Sequence, residues 1–432
     1  MFYVLLFAFV LIGAVVVLYA NGWRFNPFTL ELKKVGAIYA RSYPIDAKIY
    51  LNGGSVENKS GFFQSGTFIN DLFPGNYKLK LVLSGYKTWE ESVSVSPSLV
   101  SEVKYAVLIP EKSADAATGT IKNFRLLGSK ILAGDFKNNV VLGDKKIGRG
   151  DILEWTSDFK NILTYNGVLG RYFLYNTDLE TNTDVNLLLG KTGFNAKQGF
   201  RAFLEPEDKR MLVILQQNKL YELNLGETSI TNIFKTNLEL GEKITSSQFY
   251  IAWTQWNSAE NSSTLVVYDK FLQRKRPGSP ELRGKNSELE WLRGKNKIAI
   301  LQNDGSLYVY DVSSGNLDKI ADDVKNFSFT DGGDAVAALE HKSLEVFFFS
   351  ADKDYYRFNV PNVGQAEKII WYADKNHLFI VYPAEIKFLD IQNASLDYFP
   401  SVAEGRLPQY DESNNRLYFL TNDGLKTLDF PK

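Results

Sequence analysis

The chain contains no cysteine, which excludes disulfides, thiolate nucleophiles and cysteine-ligated zinc or iron–sulfur centres. Histidine is almost as scarce. His341 and His377 are the two in 432 residues, and their rarity removes most of the usual metal and acid–base chemistry. A charge excess is missing too: 49 Lys and Arg stand against 50 Asp and Glu. No overall field therefore draws the protein toward nucleic acid or a charged membrane surface. Proline is sparse, with 13 residues against 32 glycines, a balance that suits many tight turns.

What the chain has instead is aromatic bulk, with 30 Phe, 23 Tyr and 7 Trp, residues that pack well on a pleated sheet. It also has one long uncharged run, Phe2 to Ala20, without a proline. As a helix this run nearly matches a hydrocarbon core of ~30 Å, and unlike a buried core helix it keeps no polar face. A cleaved signal peptide is the alternative, but it calls for a basic leading segment and a small-x-small cleavage site. The reading adopted is a membrane anchor over residues 1–22. Arg24, Lys33, Lys34 and Arg41 all follow the span. Taken alone, the positive-inside rule places the remaining chain in the cytoplasm.

Alternating segments begin after the anchor. Ala47 to Leu51 runs into Asn52-Gly53-Gly54, a hairpin turn whose residues accept positive φ at little cost. Pro74-Gly75 launches a strand with Tyr77, Leu79, Leu81 and Leu83 on one face, and Gly85-Tyr86 turns it back toward Ser92–Val95. Strands and turns without helical periodicity predict a small β-sandwich over residues 36–110. Pro44-Ile45-Asp46-Ala47-Lys48-Ile49-Tyr50-Leu51-Asn52-Gly53, then Leu72-Phe73-Pro74-Gly75-Asn76-Tyr77 and Gly85-Tyr86-Lys87-Thr88-Trp89, resemble the PEGA domain. Pro44 and Ala47 keep the outer positions of that family's namesake segment, whereas Ile45-Asp46 departs from its central pair. The junction Leu18 to Phe25 is similar to the passage from anchor to PEGA domain in bacterial surface proteins that carry a propeller behind. In those relatives basic residues precede the span, and the resemblance implies a body outside the membrane. Here they are missing, which leaves the completeness of the N-terminus open.

From about residue 120 onward an internal repeat sets the architecture. Short strands of the form apolar-x-apolar-apolar end at Asp144, Asn176, Asn224, Asp269, Asp311, Asp390 and Asp429, with an eighth, Leu344 to Phe348, ending in Phe. Successive intervals are 32, 48, 45, 42, 37, 42 and 39 residues. An aromatic precedes each end by 19–21 residues: Phe124, Trp155, Phe203, Tyr250, Trp291, Phe329, Trp371 and Tyr410. A polar turn and an apolar strand follow each aromatic. A period near forty with three or four short strands is the signature of a β-propeller. The unit resembles blades of TolB-type and WD-repeat propellers, without the Gly-His and Trp-Asp dipeptides of true WD repeats. The expected fold is thus all-β: an N-terminal transmembrane helix, a PEGA-like sandwich, and a propeller over 118–432. Eight blades are expected, with seven as the alternative. The last module stops after three strands, so a segment between Lys104 and Thr120 is expected to supply its fourth and close the ring.

Chemistry is harder to find. There is no G-x-S-x-G elbow, no P-loop, no G-x-G-x-x-G after a strand and no regular sialidase-type Ser/Asp spacing. The phased aromatics are read as wedges between blades rather than a stacking ring, and the strand-end Asp and Asn as turn caps. Both histidines are assigned surface or packing roles. Arg274-Lys275-Arg276, with Arg283 and Lys285, reads as a solvated loop, with an anion or lipid-surface contact as the alternative, and Trp253 with Trp256 as either a docking patch or core. No catalytic, cofactor-binding or metal-ligating residue is assigned, and no cofactor is expected. The expected function is a single-pass, extracytoplasmic scaffold whose propeller binds a protein or cell-envelope polysaccharide, without nucleic acid and without catalysis. The rival is a propeller glycan hydrolase or lyase working through channel carboxylates.

Overall fold

The N-terminal run folds as the helix Phe2–Ala20, with none of its side chains buried. At 1.5 Å per residue it reaches about 28 Å, and it is long and apolar enough to cross a membrane. Gly22, at φ +81°, turns the chain out of the last helical turn, and its N–H returns to the Tyr19 carbonyl at 3.1 Å. A two-stranded hairpin, Trp23–Asn26 against Glu31–Lys34, follows at once. The computed structural model describes residues 1–431 except 28, 62–63, 128–129, 157–159, 205–209, 236–238, 293–294, 350–354, 393–395 and 397. It leaves out the side chains of 118, 127, 239–243 and 286–287 as well.

Residues 36–107 form two facing sheets. One holds Thr67–Leu72, Gly36–Tyr43 and Val100–Val107, with the last two parallel. The other holds Gly54–Val56, Lys48–Leu51, Gly75–Val82 and Trp89–Val95. Gly36–Tyr43 alternates strictly between buried and half-buried positions, as a strand with one inward face must. Ile38, Ile49, Leu79, Leu81 and Trp89 fill the space between the sheets, with Tyr77 and Leu83 packed at its margin. Asn52 (φ +48°) and Gly53 (φ +84°) make the two-residue turn between Leu51 and Gly54. Asn52 also accepts the Lys78 N–H at 2.8 Å, tying the turn to the next strand.

Eight antiparallel sheets then succeed one another, spanning 121–149, 151–184, 201–235, 239–283, 286–321, 324–358, 368–404 and 406–429. They are called the first to eighth sheets below. The eighth contributes three strands of its own, and Ala114–Thr118 adds the fourth by pairing with Gly424–Asp429. The segment that closes the ring thus comes from just ahead of the first sheet. The second strands of the third to seventh sheets are buried on both faces, completely so in Ala335–Glu340 and His377–Val381, because a neighbouring sheet covers either side, whereas Lys130–Asp135 of the first sheet buries one face only. Leu132 and Val140 of the first sheet meet Ile162 of the second. Leu344 and Val346 of the sixth meet Leu378 and Ile380 of the seventh. Phe124 of the first meets Leu420 and Leu425 of the eighth, which shuts the circle. This is a β-propeller.

Four of the strand-end residues cap turns by a shared geometry, whereas Asp144 lies in the turn beyond Leu142 and Asp429 pairs with Arg416. Asn176 Oδ1 accepts the N–H groups of Asp178 and Leu179, and Asp269 those of Phe271 and Leu272, at 2.8–3.1 Å. Asn224 and Asp311 do the same two and three residues on. Seven of the eight phased aromatics stand on the first strand of their sheet. Tyr250 departs: it begins the second strand of the fourth sheet, whose first strand is Glu239–Ser246. A short helix, Val185–Lys191, interrupts the all-β pattern between the second and third sheets. It is capped by Asp184 and buries Val185 and Leu189.

The sandwich and the propeller share one core. Val107 and Ile109, at the end of the sandwich, pack among Tyr372, Phe388 and Phe430 of the seventh and eighth sheets. In return Tyr398 lies against Trp89 at 5.7 Å between ring centres. Lys87 reaches across to donate to the Ser401 carbonyl at 2.6 Å.

Candidate functional site

The first strands of neighbouring sheets come closest at four alternate junctions: 406–411 with 121–127, 151–155 with 201–204, 239–246 with 286–292, and 324–329 with 368–371. At each of these, one side chain bridges to the backbone of the next sheet. Gln409 Oε1 accepts from Leu126 N at 3.1 Å, and Glu154 Oε2 from Leu204 N at 2.5 Å. Thr245 Oγ1 accepts from Trp291 N at 3.2 Å, and Asn326 Oδ1 from Ile369 N at 3.1 Å. The first strands of neighbouring sheets are thereby held in twos.

Between two of these pairs the channel opens into a cavity of about 710 Å³. Four successive sheets line it at the finishing ends of their first strands: Leu153 to Trp155, Phe203 and Leu204, Ile244 to Phe249, and Leu289 to Trp291. Aromatic faces from Trp155, Phe203, Phe249 and Trp291 are interleaved with Glu154, Thr245, Gln248, Glu290, Lys295 and Asn296. Phe249 stands at the rim, 53% exposed. Trp291 is fixed from behind: Tyr250 stacks on it at 5.7 Å and 20°, and Arg276 in turn donates to the Tyr250 hydroxyl at 3.0 Å. The indole N–H of Trp291 donates to the Lys295 carbonyl at 3.2 Å. Large, rigid, amphipathic surfaces held in this way lose little freedom on binding.

Further charges lie along the first strands. Lys368 of the seventh sheet stays open to water yet is closely surrounded. Burial first, and then the neighbouring Arg125, lower its pKa, while Glu288 and Glu290 of the fifth sheet oppose the shift. Arg125 is lowered by burial as well. Lys368 thus feels the charges of Arg125, Glu288 and Glu290 at once. Among the described residues, no three His, Asp or Glu side chains gather as metal ligands.

A second carboxylate pair sits away from both cavity and channel, around the hairpin turn of the sixth sheet. Glu340 and Glu345 are buried there, with Arg357 3.5 and 3.0 Å from them. Tyr355 donates to Glu345 at 2.6 Å, and its hydroxyl is pushed up to about 12, mainly by burial. Burial and the adjoining Glu345 raise the Glu340 carboxyl. Neither carboxylate lines the aromatic cavity.

The residues singled out in the sequence separate. The phased aromatics do fill wedges: Trp371 packs between the sixth and seventh sheets and Phe329 between the fifth and sixth. Trp155 and Trp291 combine that packing with a face on the cavity. His341 is exposed at a turn, 2.9 Å from Asp323. His377 is fully enclosed in the seventh sheet, so the two share no site. Trp253 is buried, which removes it from any docking patch, and Trp256 lies under Lys285 at 5.1 Å. The basic run is not a loose loop. Arg274–Lys275 forms a strand of the fourth sheet, and Lys275 lies 4.0 Å over the Phe234 ring. Phe249, Glu154 and Glu290 carried no sequence signal, because only the ring brings them together.

No protein-family model matches the sequence, and no curated protein matches it. Among solved structures the chain is similar to the mitotic checkpoint complex, at 10% identity and TM-score 0.43, over 74% of this chain and 94% of that chain. It is similar to an oligogalacturonate lyase from Vibrio parahaemolyticus, at 10% identity and TM-score 0.43, over 73% of this chain and 98% of the other. It is also similar to Hsv2 of Kluyveromyces lactis, at 11% identity and TM-score 0.43, over 72% and 98% respectively. The propeller assignment rests on the sheet order and the closing strand, not on these likenesses.

Proposed function

We propose that the chain is a membrane-anchored binding protein whose propeller receives a protein or cell-envelope polysaccharide in the aromatic cavity. Residues 1–22 form a single-pass anchor, the PEGA-like sandwich within 36–110 is a spacer, and the body lies outside the membrane. The propeller runs to the C-terminus, with Ala114–Thr118 joined to it. One observation carries the reading. Four sheets converge their aromatic faces and hydrogen-bonding groups on a cavity of about 710 Å³, the size range of ligand sites. A wedge aromatic has no need of an open face; Trp155 and Trp291 have one.

The test is a pull-down from envelope extracts with the detergent-solubilised chain and its Trp155→Ala/Trp291→Ala variant. Capture by the parent and loss by a still-folded variant is expected. Equal capture by both overturns the site. The second reading, a glycan hydrolase or lyase, draws on Glu288 and Glu290, whose charges reach Lys368 of the seventh sheet. Product release from a captured polysaccharide, abolished in Glu288→Gln and Glu290→Gln, would favour it over plain binding.

A further inference from the structure

The hairpin that follows the anchor has two unlike faces. Its register pairs Trp23 with Lys34, Arg24 with Lys33, Phe25 with Leu32 and Asn26 with Glu31. Because side chains alternate along a strand, Trp23, Phe25, Leu32 and Lys34 share one face and Arg24, Asn26, Glu31 and Lys33 the other. On the polar face Arg24 turns toward the sandwich, while Glu31 stays exposed. Arg24 pairs with Asp71 of the sandwich at 2.8 Å, donates to the Tyr19 carbonyl at 2.7 Å, and covers the Tyr19 ring at 3.6 Å. Lys33 pairs with Glu31 at 2.8 Å. The other face is half-buried at Trp23 and Lys34 and open beyond them: Phe25 is 57% exposed, Leu32 53%, and Leu30 at the turn 75%.

Position decides what covers it. The hairpin begins three residues after a helix whose length, about 28 Å, matches the hydrocarbon core. Arg24 clamps it to the last turn of that helix, and the Val35 N–H closes back on the Gly22 carbonyl at 2.9 Å. If the helix spans the bilayer, the open face is held at headgroup depth. Its composition suits that layer: Trp and Phe beside aliphatic chains, with Lys34 arching over Trp23 at 5.7 Å so that its ammonium reaches water. We propose that this face lies in the interfacial layer of a phospholipid bilayer, forming a collar that fixes the tilt of the body on its anchor. The inference rests on reading Phe2–Ala20 as a spanning anchor.

The absence of cysteine permits a clean test. Single-cysteine variants of the full chain, Phe9→Cys, Phe25→Cys, Asn26→Cys, Leu32→Cys and Val168→Cys, all alter residues that are not in the core. Each is labelled with an environment-sensitive fluorophore and reconstituted into phosphatidylcholine vesicles containing lipids brominated near the headgroup or near the chain ends. The collar requires blue-shifted emission at 25 and 32, quenched by the shallow bromines. Position 26, one residue away on the opposite face, and position 168 should be neither shifted nor quenched. Position 9 should be quenched by the deep bromines, which reports the anchor separately. Aqueous emission at 25 and 32 with position 9 quenched would overturn the collar and leave the anchor standing. A blue shift at 25 and 32 without lipid quenching would mean a protein contact covers the face, and would equally overturn it. An unquenched position 9 would remove the anchor and the collar together.

Discussion

His377 stands where the seventh sheet meets the sandwich, and its ring is held from three sides. Nδ1 lies 2.8 Å from Asp374, Nε2 3.8 Å from Asp390, and Phe388 stacks on the ring at 4.7 Å. Burial disfavours its charged form. The hydrogen bond to Asp374, the charge of Asp390 and a bond to the Tyr105 backbone outweigh that penalty, so its pKa is raised. All of these partners accept, so the ring serves them best as a double donor. A histidine raised in the folded state contributes stability that is full below its unfolded value of about 6.5. That contribution is lost as pH rises through the higher folded value. Thermal melts of the parent should therefore fall from about pH 6.5 upward, and His377→Asn should flatten that decline and cost about 1–3 kcal/mol at pH 6. An unchanged pH profile in the variant would remove His377 from the junction's electrostatics. His341→Asn, at an exposed turn, should leave both profile and melting point where they are.

At the scale of the element, side-chain bridges hold neighbouring first strands in twos. Ile369 is buried, and Asn326 supplies the acceptor for its N–H. Asn326→Ala should cost about 1–3 kcal/mol by stranding that donor, measured by urea unfolding, with sheet content unchanged by circular dichroism. No loss of stability would show that the pairing of inner strands does not depend on its side-chain bridges. These elements were largely legible in the sequence. Six of the eight third strands announced themselves by Asp or Asn at their ends, because the turn chemistry is local, and seven first strands by aromatics in phase. Tyr250 slipped to the second strand because its turn, Ser247 to Phe249, precedes the aromatic instead of following it. Val185–Lys191 was invisible, since under two helical turns leave no readable period. The cavity and the shared core at Val107 and Ile109 were not legible at all. They join residues far apart in the chain, and no local pattern encodes that.

For the whole molecule, ring closure makes the two ends of the propeller depend on one another. Ala114–Thr118 is paired only through Gly424–Asp429 among the described strands, with Lys426 and Asp115 adding an ion pair at 2.5 Å. Truncation after Val402 would strip the eighth sheet and uncover Phe379, Phe388 and the sandwich's Val107 and Ile109. Each such side chain is worth ~1.5–3 kcal/mol of burial, against the ~5–15 kcal/mol that holds a domain together. The truncated chain should be aggregated or cut within minutes by limited proteolysis. A soluble form that melts cooperatively would show that the ring closes elsewhere.

Phe249 probes binding at the cavity without disturbing the fold, because it lines the rim and belongs to none of the buried clusters among the described residues. Trp155 and Trp291 also hold sheets together, so their loss mixes folding with binding. The measurement is the Kd of Phe249→Ala for the ligand captured from envelope extracts, set beside that of the parent at equal melting temperature. Losing one stacked aromatic is worth about 0.5–1.5 kcal/mol beyond its buried area, so binding roughly tenfold weaker is predicted. An unchanged Kd with the ligand still bound would contradict the account and move the binding surface off the cavity.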